Sequence, residues 1–268
     1  MRTASHRPLE GKGIGTSLRF AAAVFGLWAG SMWRADVARG QEGDRFVWAQ
    51  VRYDGAWDPY PGVHSEVLQF VNTVTSILTV PERRALSLKD PALFATPFLV
   101  LSGRETPPPL DEEELRRLRD YLVSGGFLWI EDASGQRSSA FDAWVRRTLR
   151  LIFPESDLTP VPAGHVLHRT FFLLRGVGGR LMVSGSVEGI DWGGRLAVVY
   201  SRNDVLGAWA KDALGKPLYE CAPGGEAQRL AARKLTLNII MYALTGSYKS
   251  DAVHQPFLLE KMRLGLPP

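Results

Sequence analysis

Carboxylates recur where the apolar runs of this chain end. Asp54 follows "FVWAQVRY", Glu131 and Asp132 close "FLWIED", and Asp204 stands in "VVYSRNDVLG". Ser102 and Arg104 follow "TPFLVL", and Ser201 and Asn203 sit just before Asp204. If each run is a buried parallel strand, these residues share one rim, because open parallel sheets bind ligands outside the carboxyl ends of their strands. A rim of acids, one arginine and hydroxyl or amide groups suits a polyhydroxyl or cationic ligand, or a divalent cation held by oxygen. Paired carboxylates could also divide acid and base roles if burial separates their pKa values. The same residue types make ordinary turns and helix caps. Asp132 before "ASGQRSS" is thus either a cap or a ligand contact, Asn203–Asp204 reads as a turn, and Glu131 as shape rather than chemistry. Around Asp54, Trp57, Tyr60 and Pro61 form an aromatic loop that either meets a sugar or partner or staples itself down. The candidate rim is therefore Asp54, Trp57, Ser102, Arg104, Asp132, His165, Asn203 and Asp204.

Other chemistry is poorly provided for. His165 follows Pro162–Gly164 and is placed within reach of the rim, whereas His168, three residues on, faces away if the segment is a strand. His64 and His254 lack the partners of a zinc site, and no metal or cofactor is expected. The chain contains no GxxxxGK[ST], GxSxG or GxGxxG outside or inside its apolar runs. Cys221 is the only cysteine, so no intramolecular disulfide is possible, and its Pro/Gly loop is a poor setting for a nucleophile.

The elements that must carry this rim alternate. "RFVWAQVRY" (45–53), "RALSL" (84–88), "TPFLVLSG" (96–103) and "FLWIED" (127–132) read as strands. Val67, Phe70, Val71, Val74, Ile77 and Leu78 fall at helical spacing. A second helix opens on Asp111 with Glu114 as a capping pair, buries Leu115, Leu118 and Leu122, and ends at Gly125 or Gly126. A third carries Phe141, Trp144, Val145, Leu149 and Ile152 and stops at Pro154. "HVLHRTFFLL", "GGRLMVSG" and "GRLAVVYS" read as three further strands, followed by a final helix over 226–246 and an irregular tail over 247–268. The alternation predicts an α/β three-layer sandwich with a mainly parallel central sheet, in one domain over 41–246.

Charge and the first forty residues bear on location. Residues 1–40 carry six basic and two acidic groups, while 41–268 carry 26 of each. The basicity therefore belongs to the leader, and the domain has no excess charge for nucleic acid. The leader has a basic start, an apolar stretch over 20–33 and "ARG" before Gln41, the plan of a signal peptide. Fourteen residues make about 21 Å of helix, short of the ~30 Å hydrocarbon core. The expectation is export to the periplasm with cleavage before Gln41; the alternative is an inner-membrane anchor through residues 20–33.

Taken in order, "FVWAQVRYDG", "DPALFATPFLVLSG", "LRRLRDYLVSGGFLWIEDA", "GRLAVVYSRNDVLGAW" and "KLTLNIIMYALTG" resemble an exported bacterial family, the domain-of-unknown-function family 4159, over nearly all of 46–246. The resemblance implies a flavodoxin-like sandwich similar to class I glutamine amidotransferases, and no established activity. In those enzymes a cysteine stands at the elbow where this chain has "LSGRE", with Ser102 or Gly103 in its place, so amidotransferase chemistry is not expected. The resemblance also implies neighbours among membrane-associated ATPases and von Willebrand-type proteins. It favours a non-catalytic binding or assembly module of the cell envelope that holds a protein partner or glycan. The alternative is a hydrolase or sugar-modifying enzyme using Asp54 and Asp132.

Overall fold

The computed structural model describes residues 45–263; the leader, its apolar stretch over 20–33 and the expected cleavage before Gln41 lie outside the described residues. Four strands form first: β1 (Ala49–Val51), β2 (Arg84–Leu86), β3 (Phe98–Gly103) and β4 (Phe127–Asp132). They are joined by α1 (Val63–Val74), a 3-10 turn at Pro91–Ala95, and α2 (Glu112–Val123). After α3 (Ala140–Ile152) come β5 (Thr159–Pro160), β6 (Glu188–Trp192), β7 (Arg195–Ser201) and the long α4 (Gly225–Arg263).

The seven strands make one mixed sheet in the order β2-β1-β3-β4-β7-β6-β5. The first five are parallel, and β6 and β5 add antiparallel at one edge. Strand alternation sorts the apolar residues into two cores. Trp48, Phe98, Val100, Phe127, Trp129 and Val199 face α1 and α4, while Leu99, Leu101, Leu128, Ile130, Val198 and Tyr200 face α2 and α3. Burial on both faces explains why β3 and β4 read as unbroken apolar runs. The first core is aromatic: Trp48, Phe98 and Trp129 pack edge to face at 5.8 and 6.1 Å between ring centres.

The helices follow their sequence signals closely. Asp111 accepts the Glu114 N–H at 2.9 Å and Glu114 accepts the Asp111 N–H at 3.0 Å, a complete capping box. Leu118 and Leu122 are buried and Leu115 is packed at the edge. All five apolar residues read from the third helix are buried. In α1 the stripe ends early: the helix stops at Val74, and Leu78 is exposed.

Three readings are corrected. "HVLHRTFFLL" is not a strand but a 3-10 turn (Val166–Arg169) and loop. Asn238 of α4 supplies its backbone partners, accepting the Phe172 N–H at 2.8 Å and donating to the Leu167 and Phe172 carbonyls. "GGRLMVSG" makes only one bridge, Leu181 to Ala222, because its N–H groups go to Asn203 and Asp204 instead of a ladder. The tail from Ser247, expected irregular, continues α4 in helix to Arg263. Among the described residues no helix is long and apolar enough to cross a membrane.

The segment that carries Arg180 is wedged tightly. A Cβ on Gly178 would meet the backbone of α4 at Ala232, and one on Gly179 would run into the Asn203 carbonyl. Overpacking of this kind costs about 1–3 kcal/mol. Gly179→Ala should therefore lower Tm by about 2–4 °C per kcal/mol lost, while Gly164→Ala, with nothing within 4 Å, should leave it unchanged. Thermal unfolding of the two variants side by side checks this, and equal midpoints would count against the wedge.

Candidate functional site

The rim divides into a buried network and an open cleft. Ser102, Glu131 and Ser201 stand side by side in register at the ends of β3, β4 and β7. Each lies on the alternation that faces α1 and α4, and each is buried. Trp129 Nε1 donates to Ser201 Oγ at 3.0 Å, Ser201 Oγ donates to Glu131 Oε2, and the Val205 N–H donates to Glu131 Oε1. Glu131 thus ties the turn after β7 to the sheet. Burial pushes its carboxyl well above the usual glutamate range, and the charges of Asp204 and Asp132 add to that against the two hydrogen bonds. Ser102 Oγ is buried without a hydrogen-bond partner among the described residues.

Asp204 is the second knot. It holds a left-handed backbone at φ 52°. Its carboxylate accepts the Tyr60 hydroxyl at 2.6 Å and the Gly207 N–H at 3.1 Å, and it pairs with Arg180. Burial raises its pKa, with the Tyr60 hydrogen bond and the Arg180 charge opposing. One buried carboxylate therefore fastens three segments: the loop before α1, the Arg180 segment and its own turn.

The remaining rim residues fall as follows. Asp132 accepts the Ser134 N–H at 2.9 Å and the Ser139 hydroxyl at 2.6 Å, and Ser139 in turn caps α3 through the Asp142 N–H. Both its oxygens are thus engaged in the turn. Asn203 Oδ1 accepts the N–H groups of Val183 and Ser184, and its Nδ2 donates to the Ser184 carbonyl. Asp54 is exposed on a bend. Trp57 lies beneath the Arg83 guanidinium at 4.7 Å, and Arg83 also pairs with Asp58, so that half of the aromatic loop is stapled down. Arg104 lies over the Tyr60 ring at 4.5 Å. Between β1 and β3, Tyr53 donates to the Ser102 carbonyl at 3.0 Å and, with Phe141, fills the space beside Gly103.

His165 does not join this rim. It caps its own 3-10 turn through the Leu167 N–H at 3.1 Å and sits 5.6 Å from the Tyr242 ring. Tyr242 in turn takes the Leu196 N–H at the start of β7 and packs on Phe127 at the start of β4. That is the amino end of the parallel strands, opposite the rim. The expectation that His165 reaches the rim from the loop after Pro162–Gly164 is thus corrected, because that loop lies at the other end of the sheet.

Open space lies elsewhere, between the loop entering α1 and the loop after β7. There a cleft of about 310 Å³ is walled by Pro59, Tyr60, Pro61, Val63, Leu218 and Tyr219. Glu66, Lys211 and Asp212 stand at its mouth, with Lys211 paired to Glu66. Tyr60 and Tyr219 meet edge to face at 5.9 Å, and Arg180 lies over Tyr219 at 5.3 Å. Sequence reasoning noted Tyr60 only as part of the aromatic loop and missed Tyr219, Glu66, Lys211, Asp212 and Arg180. The proline-flanked tyrosine in "DPYPG" was the available signal; the others converge only through the fold. Among the described residues no group of three His, Cys, Asp or Glu side chains is arranged to hold a metal ion.

Fold and site together define an α/β domain with a mostly parallel sheet, a buried acid network beneath its carboxyl rim and a tyrosine-walled cleft beside it. Residues 47–244 match the family described as Domain of unknown function (DUF4159), and the chain belongs to that family. No curated protein matches the sequence.

The Glu131 environment has a pH signature. A carboxyl whose folded pKa is raised contributes stability that is full below its unfolded pKa, near 4.5, and is lost as pH rises through the folded value. Glu131→Gln keeps an acceptor for Val205 and removes the titration. Relative to wild type it should gain stability as pH rises above about 4.5, by up to about 1.4 kcal/mol per pH unit. Glu131→Ala, which leaves the Val205 N–H buried and unpaired, should lose about 1–3 kcal/mol. Urea midpoints across pH 4–8 test the pair; a constant wild-type-to-Gln difference would contradict a neutral buried Glu131.

Proposed function

We propose that the chain is an exported, non-catalytic binding or assembly module of a bacterial cell-envelope system, which holds a protein partner or glycan at the aromatic cleft beside its rim. The observation that carries the reading is the use to which the strand-end acids are put. Asp132 and Asp204 are buried and bound to neighbouring backbone and side chains, whereas the open volume lies at the tyrosine-walled cleft. A binding site is a concavity in which placed polar groups fix the ligand's orientation, and the cleft offers such a concavity, with more polar than apolar surface open to a ligand. The competing reading, a hydrolase or sugar-modifying enzyme using Asp54 and Asp132, requires Asp132 to surrender both partners that hold the turn before α3.

The parallel part of the sheet runs β2-β1-β3-β4-β7, an order that supports a flavodoxin-like arrangement similar to class I glutamine amidotransferases. At the place of their elbow this chain has buried Ser102 and crowded Gly103. Export is supported by the basic start, apolar stretch and small residues of 1–40, with an inner-membrane anchor through 20–33 as the alternative outcome.

Fractionation of a bacterium producing the full chain, with N-terminal sequencing of the product, tests the location. We expect a periplasmic protein beginning at Gln41. A cytoplasmic product with an intact N-terminus would overturn export. Steady turnover of an envelope polysaccharide or peptide by the purified domain, abolished in Asp132→Asn, would overturn the non-catalytic assignment.

A further inference from the structure

We infer that the cleft beside the packed Tyr60–Tyr219 pair takes a neutral polyhydroxyl ring, the chemistry of a sugar; this rests on the binding-module reading and names its ligand class. The walls come first. Tyr60 is held by its hydroxyl on Asp204, and the Tyr219 ring is packed on Tyr60 and lies under the Arg180 guanidinium while its carbonyl accepts Arg229 Nη2 at 2.6 Å, so both rings are placed before any ligand arrives. The loop that supplies the far wall is also pinned. Leu218 donates its N–H to the Ala210 carbonyl at 2.8 Å, and Asp212 donates its N–H to the Lys216 carbonyl at 2.8 Å. Preorganised walls reduce the ordering cost of binding.

The mouth then selects the ligand. Lys211 presents an ammonium, and Glu66 and Asp212 present carboxylates. Asp212 Oδ1 accepts the N–H groups of Leu214 and Lys216, both at 2.9 Å, which orients Oδ2 as a further acceptor. Glu66 uses Oε2 on Lys211 and keeps Oε1. An anionic ligand meets two carboxylates, and a cationic one meets Lys211; like charges brought together are costly. A purely apolar side chain satisfies the walls but strips water from three charged groups with nothing in return. A neutral ring bearing hydroxyls meets every demand. Its C–H surface lies on Pro59, Pro61, Val63 and Leu218, while its hydroxyls donate to the carboxylates and accept from Lys211. Arg104 and Arg180 lie over the tyrosines and do not line the cleft, and Arg180 is paired with Asp204.

Methyl NMR of the purified full chain tests the inference, with Val63, Ala210 and Leu218 as reporters inside the cleft and exposed Leu173 as the control outside it. The probes are glucose and N-acetylglucosamine as free sugars, and their β-linked tetrasaccharides as chain ends, with glucuronate and glucosamine as charged comparisons. We expect saturable shifts of the cleft methyls with the neutral sugars, and tighter binding of the tetrasaccharides if a glycan chain is the source. Asp212→Asn keeps the turn acceptor and Lys211→Met keeps the stem. Each should weaken the neutral sugar about 10- to 100-fold, the loss of one hydrogen bond to a charged group. Unmoved cleft methyls, unchanged affinity in both variants, or tighter binding of glucuronate or glucosamine than of the neutral sugars would overturn the neutral-sugar assignment. If a protein segment displaces into the cleft instead, the sugar chemistry falls and the binding module stands. If the sugar binds and is consumed, the chemistry stands and the non-catalytic reading falls.

Discussion

A carboxyl group with no access to solvent must be given its hydrogen bonds by the protein, and at Glu131 that requirement organises the end of the sheet. Desolvation of an unpaired polar group costs more than most single contacts return, so the Val205 N–H and the Ser201 hydroxyl are held in fixed places. Val205 begins the turn that follows β7, and its neighbour Asp204 is thereby set where Tyr60, Arg180 and Gly207 can reach it. The walls of the cleft thus depend on an acid that never touches it. Asp204 passes the constraint outward through the Tyr60 hydroxyl, and Arg180 passes it on through the face of Tyr219.

This arrangement separates two uses of strand-end acids that are alike in sequence. Acids with perturbed pKa values mark functional sites often enough to attract attention, but structural networks perturb pKa as well. Here burial shifts Glu131 and Asp204, and their oxygens are committed to neighbouring backbone and side chains. The unburied charges, Glu66, Lys211 and Asp212, stand instead beside open volume. The division between a sealed acid core and an open mixed-charge mouth is what favours recognition over catalysis.

Much of the frame was legible in the residues. Apolar runs closed by glycine or acid gave four of the five inner strands, because a strand buried on both faces leaves no other pattern. The Asp111–Glu114 box and the stripe from Phe141 to Ile152 gave two helices with their ends. Harder to read was anything settled by a distant partner. The "HVLHRTFFLL" alternation looks like a strand until Asn238, 66 residues from Phe172, takes up its backbone groups. The β6–β7 hairpin was signalled by Gly193–Gly194, both at positive φ, yet β6 itself is too mixed to stand out. Glu131 stands in sequence as a plain strand-end acid, but its partner Val205 lies 74 residues on, and no local pattern announces that pairing. Tyr219 and Lys211 belong to an exposed loop whose composition is unremarkable until the fold sets it against α1.

The central claim, that buried acids hold the turn on which the cleft is built, is open to one direct measurement. Native-state hydrogen exchange reads how often individual amides open. The Val205 and Gly207 amides, bound to Glu131 and Asp204, should exchange only through near-global unfolding, as slowly as the amides of β3 and β4. Exchange of Val205 and Gly207 as fast as that of the exposed loop around Ala213 would mean that the acids do not hold the turn, and would contradict the account.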